Sequence, residues 1–310
     1  MLAFLPAPIR GALALLLFML NTLFWCTPFY GVLLIKLAIP HRGWQAWYAQ
    51  RLIEIAQAWV ASNNAITDLT QQIEWDVQGL EELKRDDWQL VSSNHQSWVD
   101  IVVLQRVFNR RIPFLKFFIK QPLIWMPVLG GVWWGLDFPF MKRHSADYLA
   151  RHPEARDQDW ETTRRICARF RDTPTTLLNF LEGTRFRLDK HTRQESPYRH
   201  LLRPKAGGLA FALEALTDRL HTLLDVTIVY PEGRSTFPDL LLGRIHRVIV
   251  RVRSMDIPAE LRGGDYRGDP EYRAAIQRWL GQIWAEKDAL IEELLSSARP
   301  TDRDIGLNGR

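Results

Sequence analysis

The run from Gly11 to Ile35 constrains this chain more than any other feature, because its 25 consecutive residues include no charged side chain. As an α-helix rising about 1.5 Å per residue, it exceeds the roughly 30 Å hydrocarbon core of a bilayer. The run is longer than the apolar part of a cleaved signal, and Cys26 follows bulky residues rather than the small ones typical of a cleavage site. A retained membrane anchor is therefore favoured over two alternatives, a cleaved signal and a buried core helix.

The flanks of this run predict its orientation. Only Arg10 precedes it, whereas Lys36, Arg42 and Arg51 follow, so the positive-inside rule places the rest of the chain on the cytoplasmic side of the inner membrane. Pro28 would either kink a spanning helix or mark the bend of a re-entrant hairpin. Both topologies remain open.

The next segment has helical periodicity. Between residues 45 and 61, aromatic and aliphatic side chains recur every three to four positions, which predicts an amphipathic helix. This helix either packs on the globular domain or lies in the membrane interface. Residues 1–66 are thus expected to form a membrane segment plus amphipathic helix, followed by an α/β domain over 67–300 and a frayed tail over 301–310.

Short apolar runs alternate with helical stretches after residue 63, which is typical of an α/β fold with a central mixed sheet flanked by helices. We expect strands at Ile73–Val77, Gln89–Ser92, Ile112–Leu115, Thr175–Leu181, Asp225–Tyr230 and Arg244–Val252. We expect helices at Trp98–Phe108, Trp160–Arg171, Gly208–Leu220 and Tyr272–Ser297.

Composition narrows the possible partners. The formal charge of +5 and a pI near 9.3 favour acidic partners such as anionic lipid, a phosphorylated substrate or nucleic acid. With only two cysteines, neither a disulfide framework nor a cysteine metal site is expected. A hydrophobic content of 47% excludes a disordered chain.

The first cluster of reactive side chains directly follows the second predicted strand. His95 and Asp100 are five residues apart, so on one continuous helix they would not share a face. Ser97 and Asp100 have the form of a capping box, which predicts a helix start between the pair and lets the chain turn there. Asp100 could then orient the imidazole of His95 and leave its other nitrogen to accept a proton. The alternative is a helix-capping aspartate beside an ordinary loop histidine.

The second cluster, Glu182 to Arg185, follows another predicted strand. Gly183 permits close backbone approach, and Thr184 and Arg185 can donate to phosphate oxygens. An ordinary polar turn is the alternative.

Taken together, the two clusters resemble the Asn-His-(four residues)-Asp and Glu-Gly-Thr-Arg motifs of the glycerolipid acyltransferase family, which includes the 1-acylglycerol-3-phosphate acyltransferases. Two further stretches fit the same family in order: Leu129 to Arg143, and Lys205 to Gly208 with Val226 to Pro231. The length of the sequence after the second motif resembles that of the longer subgroup of the family, which includes lysocardiolipin acyltransferases and bacterial inner-membrane relatives. Trp133, Trp134 and Phe138 are expected either to line an acyl groove or, preferably, to pack in the core.

The resemblance implies specific roles. His95 would be the general base and Asp100 its orienting partner, with backbone N–H groups near Ser97 stabilising the oxyanion. The substrate-binding residues would be Asn94, Lys142, Arg143, Glu182, Gly183, Thr184, Arg185, Lys205 and Pro231.

The implied reaction moves an acyl group from an acyl-carrier-protein or acyl-CoA thioester to the free hydroxyl of lysophosphatidate. No metal or cofactor is expected, and the partners would be membrane lipids, the lysophospholipid and the thioester, without nucleic acid. Alternatives are another lysolipid headgroup, such as lysophosphatidylglycerol or lysocardiolipin, and a membrane-bound anionic-lipid binder without chemistry.

Overall fold

Two long helices open the computed structural model, which describes residues 2, 4–39, 41–141, 151, 170 and 173–298. Helix α1 covers Ala7–Ala38 and α2 covers Arg42–Thr70. The predicted apolar helix is confirmed, and it continues through Pro28 without a hairpin bend. Within the described residues, α1 alone has the length and the apolar composition needed to cross a membrane. Only 17% of its apolar 18-residue stretch is buried against the rest of the protein.

Polar side chains join α1 to α2. Asn21 donates to Asn63 at 2.8 Å, and the indole N–H of Trp25 donates to Ser62 at 3.0 Å. These contacts satisfy polar side chains of the otherwise apolar α1. The two helices therefore form one antiparallel unit, and α2 extends beyond the predicted helix at both ends.

The main sheet contains six of the eight strands in the described residues and is mixed, as predicted. The strands are β1 Glu74–Gln78, β2 Gln89–Ser93, β3 Leu115–Phe117, β4 Ile119–Lys120, β5 Phe140–Met141, β6 Thr176–Asn179, β7 Thr222–Val229 and β8 Arg247–Asp256. Their order is β1-β8-β7-β2-β6-β3, with β7 and β8 antiparallel and every other neighbouring pair parallel. Strands β4 and β5 form a separate parallel pair.

The other helices in the described part of the chain are α3 Val99–Phe108, α4 Leu129–Gly135, α5 Leu188–Gln194, α6 Gly207–Ala215, α7 Phe237–Leu241 and α8 Pro270–Ser297. Single 3₁₀ turns cover Gln121–Trp125 and Ala259–Leu261. Apolar side chains of α6 and α8 pack on one face of the sheet, and those of α3 and α7 pack on the other.

The differences from the predicted boundaries have local causes. Helix α6 ends at Ala215 rather than at Leu220. Strand β7 begins at Thr222 rather than at Asp225, because Leu223 and Leu224 are buried as part of the strand. The predicted helix Trp160–Arg171 lies outside the described residues.

Sheet order brings the two reactive clusters together. Strand β2 pairs in parallel with β6 on one side and with β7 on the other. The loops that follow these three strands therefore emerge at the same edge of the sheet, where α/β folds place their binding sites.

Candidate active site

His95 and Asp100 meet in the loop between β2 and α3. The His95 Nδ1 atom lies 2.8 Å from Asp100 Oδ2. A carboxylate can only accept, so Nδ1 carries the proton and Nε2 is left as a base. The imidazole also stacks on the Phe180 ring, with the centroids 3.9 Å apart. The predicted contact between His95 and Asp100 is thus present. The imidazole is held by Asp100 through Nδ1 and by stacking on the Phe180 ring.

The turn between them contains half of the predicted capping box, because the acid bonds back to the N–H of Ser97 whereas the Ser97 hydroxyl accepts from Val99 rather than from Asp100. Asp100 Oδ2 accepts the backbone N–H groups of Gln96 at 2.6 Å and Ser97 at 2.8 Å, and Ser97 Oγ accepts that of Val99 at 2.8 Å. Asp100 lies in the first turn of α3 and is fully buried. These bonds compensate the cost of burying its charge.

The same bonds limit one expectation. The N–H groups of Gln96 and Ser97 donate to the Asp100 carboxylate, so these two groups are not free to stabilise an oxyanion. They point toward the carboxylate because Asp100 bonds back to the residues that precede the helix, as the acid of a capping box does.

Tyr230 is a site residue that the sequence reasoning missed. Its hydroxyl donates to Asp100 Oδ1 at 2.8 Å, and its side chain is buried. Burial, reinforced by the Asp100 carboxylate, raises the pKa of Tyr230 well above 10. The sequence signal available for it is its position directly after an apolar strand, whereas the parallel pairing of β7 with β2 that brings it to Asp100 is visible only in the structure.

Two predicted substrate ligands instead hold the loop in place. Asn94 both donates to and accepts from the backbone of Ile228 at 2.8 Å, and it is buried. Glu182 is fully buried, and its carboxylate accepts the N–H of His95 at 2.8 Å and that of Leu202 at 3.1 Å. The polar atoms of both side chains therefore bond to backbone groups of the protein. Neither side chain is placed to contact a substrate directly.

Burial raises the pKa of Glu182 to about 7, against the lowering effect of the two backbone bonds. The carbonyl of His95 is fixed as well, since it accepts the N–H of Phe186 at 2.6 Å. Glu182 of the second motif and Phe186 directly after it thus hold the backbone of His95 in the first motif.

Three cationic side chains surround the Gly183–Thr184 turn. Arg185 is exposed, with its guanidinium 5.4 Å from the centre of the Trp98 ring. The ammonium of Lys190, another residue that the sequence reasoning missed, donates to Thr184 Oγ1 at 2.5 Å. A Cβ atom at Gly183 would lie 3.5 Å from Lys205 Nζ, so that ammonium is adjacent too. We refer to Arg185, Lys190 and Lys205 as the cationic rim.

A cavity of about 820 Å³ begins beside the cationic rim and extends between the sheet and the two long helices. His95, Thr184 and Arg185 line one part of it, and mostly apolar side chains, many of them from α1, α2, α3 and α4, line the remainder. Trp133 and Phe138 contribute to the wall, and Trp134 is 48% exposed. The preferred interpretation of all three as core residues was therefore wrong for Trp134 and incomplete for the others.

The remaining predicted residues divide into two groups. Lys142 and Arg143 lie outside the described residues. Pro231 directly follows Tyr230 after β7 and is not among the residues that line the cavity. Among the described residues, no group of three or more His, Cys, Asp or Glu side chains is arranged to hold a metal ion.

Characterised proteins resemble this chain over part of its length. It is 28% identical to mouse 1-acyl-sn-glycerol-3-phosphate acyltransferase gamma over 57% of this chain and 45% of the mouse protein. It is 29% identical to 2-acyl-1-lysophosphatidylinositol acyltransferase of Saccharomyces cerevisiae over 40% of this chain and 34% of the yeast protein. The chain thus spans less than half the length of either relative.

The fold resembles a solved structure. The crystal structure of the 1-acyl-sn-glycerophosphate acyltransferase PlsC from Thermotoga maritima superposes with a TM-score of 0.53 at 18% identity, covering 96% of this chain and all of that one. The model of the family described as Acyltransferase matches residues 74–238, more than half of the chain. That match spans both motifs, confirms the resemblance inferred from them, and shows that the chain belongs to the acyltransferase family.

Proposed function

We propose that this acyltransferase transfers a fatty acyl group from an acyl-carrier-protein or coenzyme A thioester to the free hydroxyl of lysophosphatidate. One observation carries the proposal: the His95 imidazole, bonded to Asp100 through Nδ1, lines an apolar cavity next to the cationic rim. Such a site has separate places for an acyl chain, a reacting hydroxyl and a phosphate.

The proposed chemistry needs only one proton carrier. The Nε2 atom of His95 takes the proton of the acceptor hydroxyl as its oxygen attacks the thioester carbonyl. Asp100 stabilises the resulting imidazolium. Collapse of the tetrahedral intermediate breaks the C–S bond and forms the ester, and the departing thiolate takes the proton from the His95 imidazolium. No covalent acyl-enzyme is required.

The cationic rim is the proposed phosphate site. Guanidinium and ammonium groups bind phosphate through charge-assisted hydrogen bonds, and Arg185 can do so with two parallel donors. The resemblance adds Lys142 and Arg143 to this group. We assign Gly183 and Thr184 to the glycerol part of the acceptor.

A second acceptor class has support of its own. One relative is named as a 2-acyl-1-lysophosphatidylinositol acyltransferase, so a phosphodiester headgroup is the alternative to the phosphomonoester of lysophosphatidate. Lysophosphatidylglycerol and lysocardiolipin belong to the same class.

We further propose that α1 attaches the enzyme to the inner membrane with the catalytic domain facing the cytoplasm. The support is the apolar length of α1 and the excess of basic residues after it. This location would deliver both the acceptor and the product directly to the bilayer.

The test is acyl transfer by the purified full chain in detergent, with both thioester donors and a panel of lysolipids. His95→Ala should lower turnover by about 10²–10⁴-fold, the usual contribution of a general base. His221→Ala is the matched control, because His221 is exposed and bonds Arg262 outside the site. Unchanged turnover in His95→Ala would refute the mechanism, and lipid binding without turnover in the wild type would favour an anionic-lipid binding protein. Product from lysophosphatidylglycerol but not from lysophosphatidate would move the assignment to the second acceptor class.

A further inference from the structure

A second uncharged stretch lies in the middle of the chain, where residues 121–136 include no charged side chain. They form the 3₁₀ turn Gln121–Trp125, a short connection and α4. We propose that this stretch, the α4 segment, inserts into the interface of one membrane leaflet beside α1. The proposed partner is the lipid surface itself.

The first argument is exposure. Trp125 is 87% exposed, the largest value among the exposed large hydrophobic side chains of the described residues, and Met126, Val128 and Trp134 are exposed in the same segment. Contiguous apolar surface of this kind on a folded protein marks a binding surface for protein or lipid. Tryptophan in particular is enriched where an apolar body meets a polar boundary, as in the interfacial belts of membrane proteins.

The second argument is the attachment of this segment to α1. The hydroxyl of Tyr30 on α1 donates to the carbonyl oxygen of Val128 at 2.6 Å. Gly131 lies so close to Tyr30 that any side chain there would collide with the ring. A Cβ atom at Gly135 would lie 3.1 Å from the Leu33 side chain of α1, so the two helices are in tight contact there. The α4 segment therefore keeps a fixed position against the helix that has the composition of a membrane anchor.

The third argument is backbone strain at the point of attachment. Val128 has φ +66° and ψ −54°, a conformation that β-branched residues almost never adopt. The N–H of Leu129 closes the turn by donating to the carbonyl oxygen of Pro127 at 2.7 Å. Strain of this kind persists only where the surroundings enforce it. Here the Tyr30 bond fixes the turn, and with it the exposed residues just before it.

Lipid is favoured over a protein partner because the exposed surface is continuous with that of α1. Leu34 lies four residues after Tyr30 on the same helical face and is 65% exposed. The charge also fits, since the exposed Lys120 directly precedes the segment, where it can meet the phosphates of an anionic leaflet.

The test reads the environment of residue 125 and needs no turnover. In the full chain with Cys26→Ala and Cys167→Ser, Trp125→Cys is labelled with a polarity-sensitive fluorophore. Glu260→Cys is the control, an exposed position in the 3₁₀ turn that packs near α8. Both proteins are reconstituted in vesicles of phosphatidylethanolamine and phosphatidylglycerol that contain lipids spin-labelled at shallow or deep acyl positions.

The expected result is strong quenching at position 125 and little at position 260. The depth at position 125 should be about 5–10 Å into the headgroup–acyl boundary, as for interfacial elements. Equal quenching at the two positions would overturn the proposal. It would also be overturned if the label at position 125 escaped lipid quenching but responded to protein concentration in detergent, because a second copy of the chain would then cover the surface.

Discussion

Replacing Tyr230 by Phe removes one oxygen atom and leaves the packing of β7 unchanged. That oxygen supplies the hydrogen bond to Asp100 Oδ1, in a buried setting where water cannot replace it. Hydrogen bonds to charged groups contribute about 1.5–3 kcal/mol, against about 0.5–1.5 kcal/mol for those between neutral groups. The free energy of unfolding should therefore fall by about 2 kcal/mol.

Tyr272→Phe is the matched control. The Tyr272 hydroxyl donates at the same distance of 2.8 Å, but to the neutral carbonyl oxygen of Leu261, away from the site. Chemical denaturation in detergent should show a loss of about half that of Tyr230→Phe.

Turnover separates the two variants further. We expect kcat/KM of Tyr230→Phe to fall about tenfold, equivalent to about 1.4 kcal/mol of transition-state stabilisation, because Asp100 is less firmly oriented toward His95. The KM should change little, since Tyr230 does not line the cavity. Tyr272→Phe should retain full turnover. Equal stability losses together with full turnover in both variants would refute the coupling of Tyr230 to the His95–Asp100 pair.

Three further predictions test the surrounding structure. Burial raises the pKa of Glu182 from 4.5 to about 7, so between these pH values the folded protein keeps a proton that the unfolded chain releases. Wild-type stability should fall with rising pH across this window, by on the order of 3 kcal/mol, and Glu182→Gln should lack the slope in denaturation curves; identical slopes would contradict the assignment. Lys287 is buried 2.9 Å from Asp225, whose other carboxylate oxygen lies 3.4 Å from the guanidinium of Arg253. Lys287→Met should therefore lower the free energy of unfolding by somewhat less than the roughly 3–5 kcal/mol expected for a fully unpaired buried charge, and adding Asp225→Asn should restore part of the loss. No recovery in the double variant would mean that the lost packing, not the weaker pairing of the charge, dominates. Ala56 lines the cavity from α2, so Ala56→Phe should lower turnover with long acyl donors more than with short ones; a uniform loss would show that the chain does not occupy this part of the cavity.

The sequence predicted the contact between His95 and Asp100 because its cause is local. Asp100 and Ser97 close the turn through bonds to backbone N–H groups within six residues, so the motif itself indicates that the chain turns there. The mixed sheet was predictable for a related reason, since buried strands such as β7 appear as apolar runs.

The functions of Glu182, Asn94 and Tyr230 were not predictable in this way. Each bonds a partner on a different strand or loop, between 87 and 134 residues away along the chain. Polar residues at the ends of strands look alike in sequence, whether they face the substrate or the backbone of a neighbouring loop. Only the order of the strands distinguishes the two cases.

The long helix α8 determines how large a segment of this protein can be exchanged with a relative in a chimera. The indole of Trp284 donates to the carbonyl oxygen of Leu202 at 3.0 Å, and Leu202 in turn donates its N–H to Glu182. Lys287 reaches the carbonyl oxygen of Val226 in the middle of β7. Both contacts come from residues beyond the segment that matches the family, 74–238. A chimera that exchanged only that segment would leave Leu202 and Val226 without these donors, so the exchangeable unit must extend through α8.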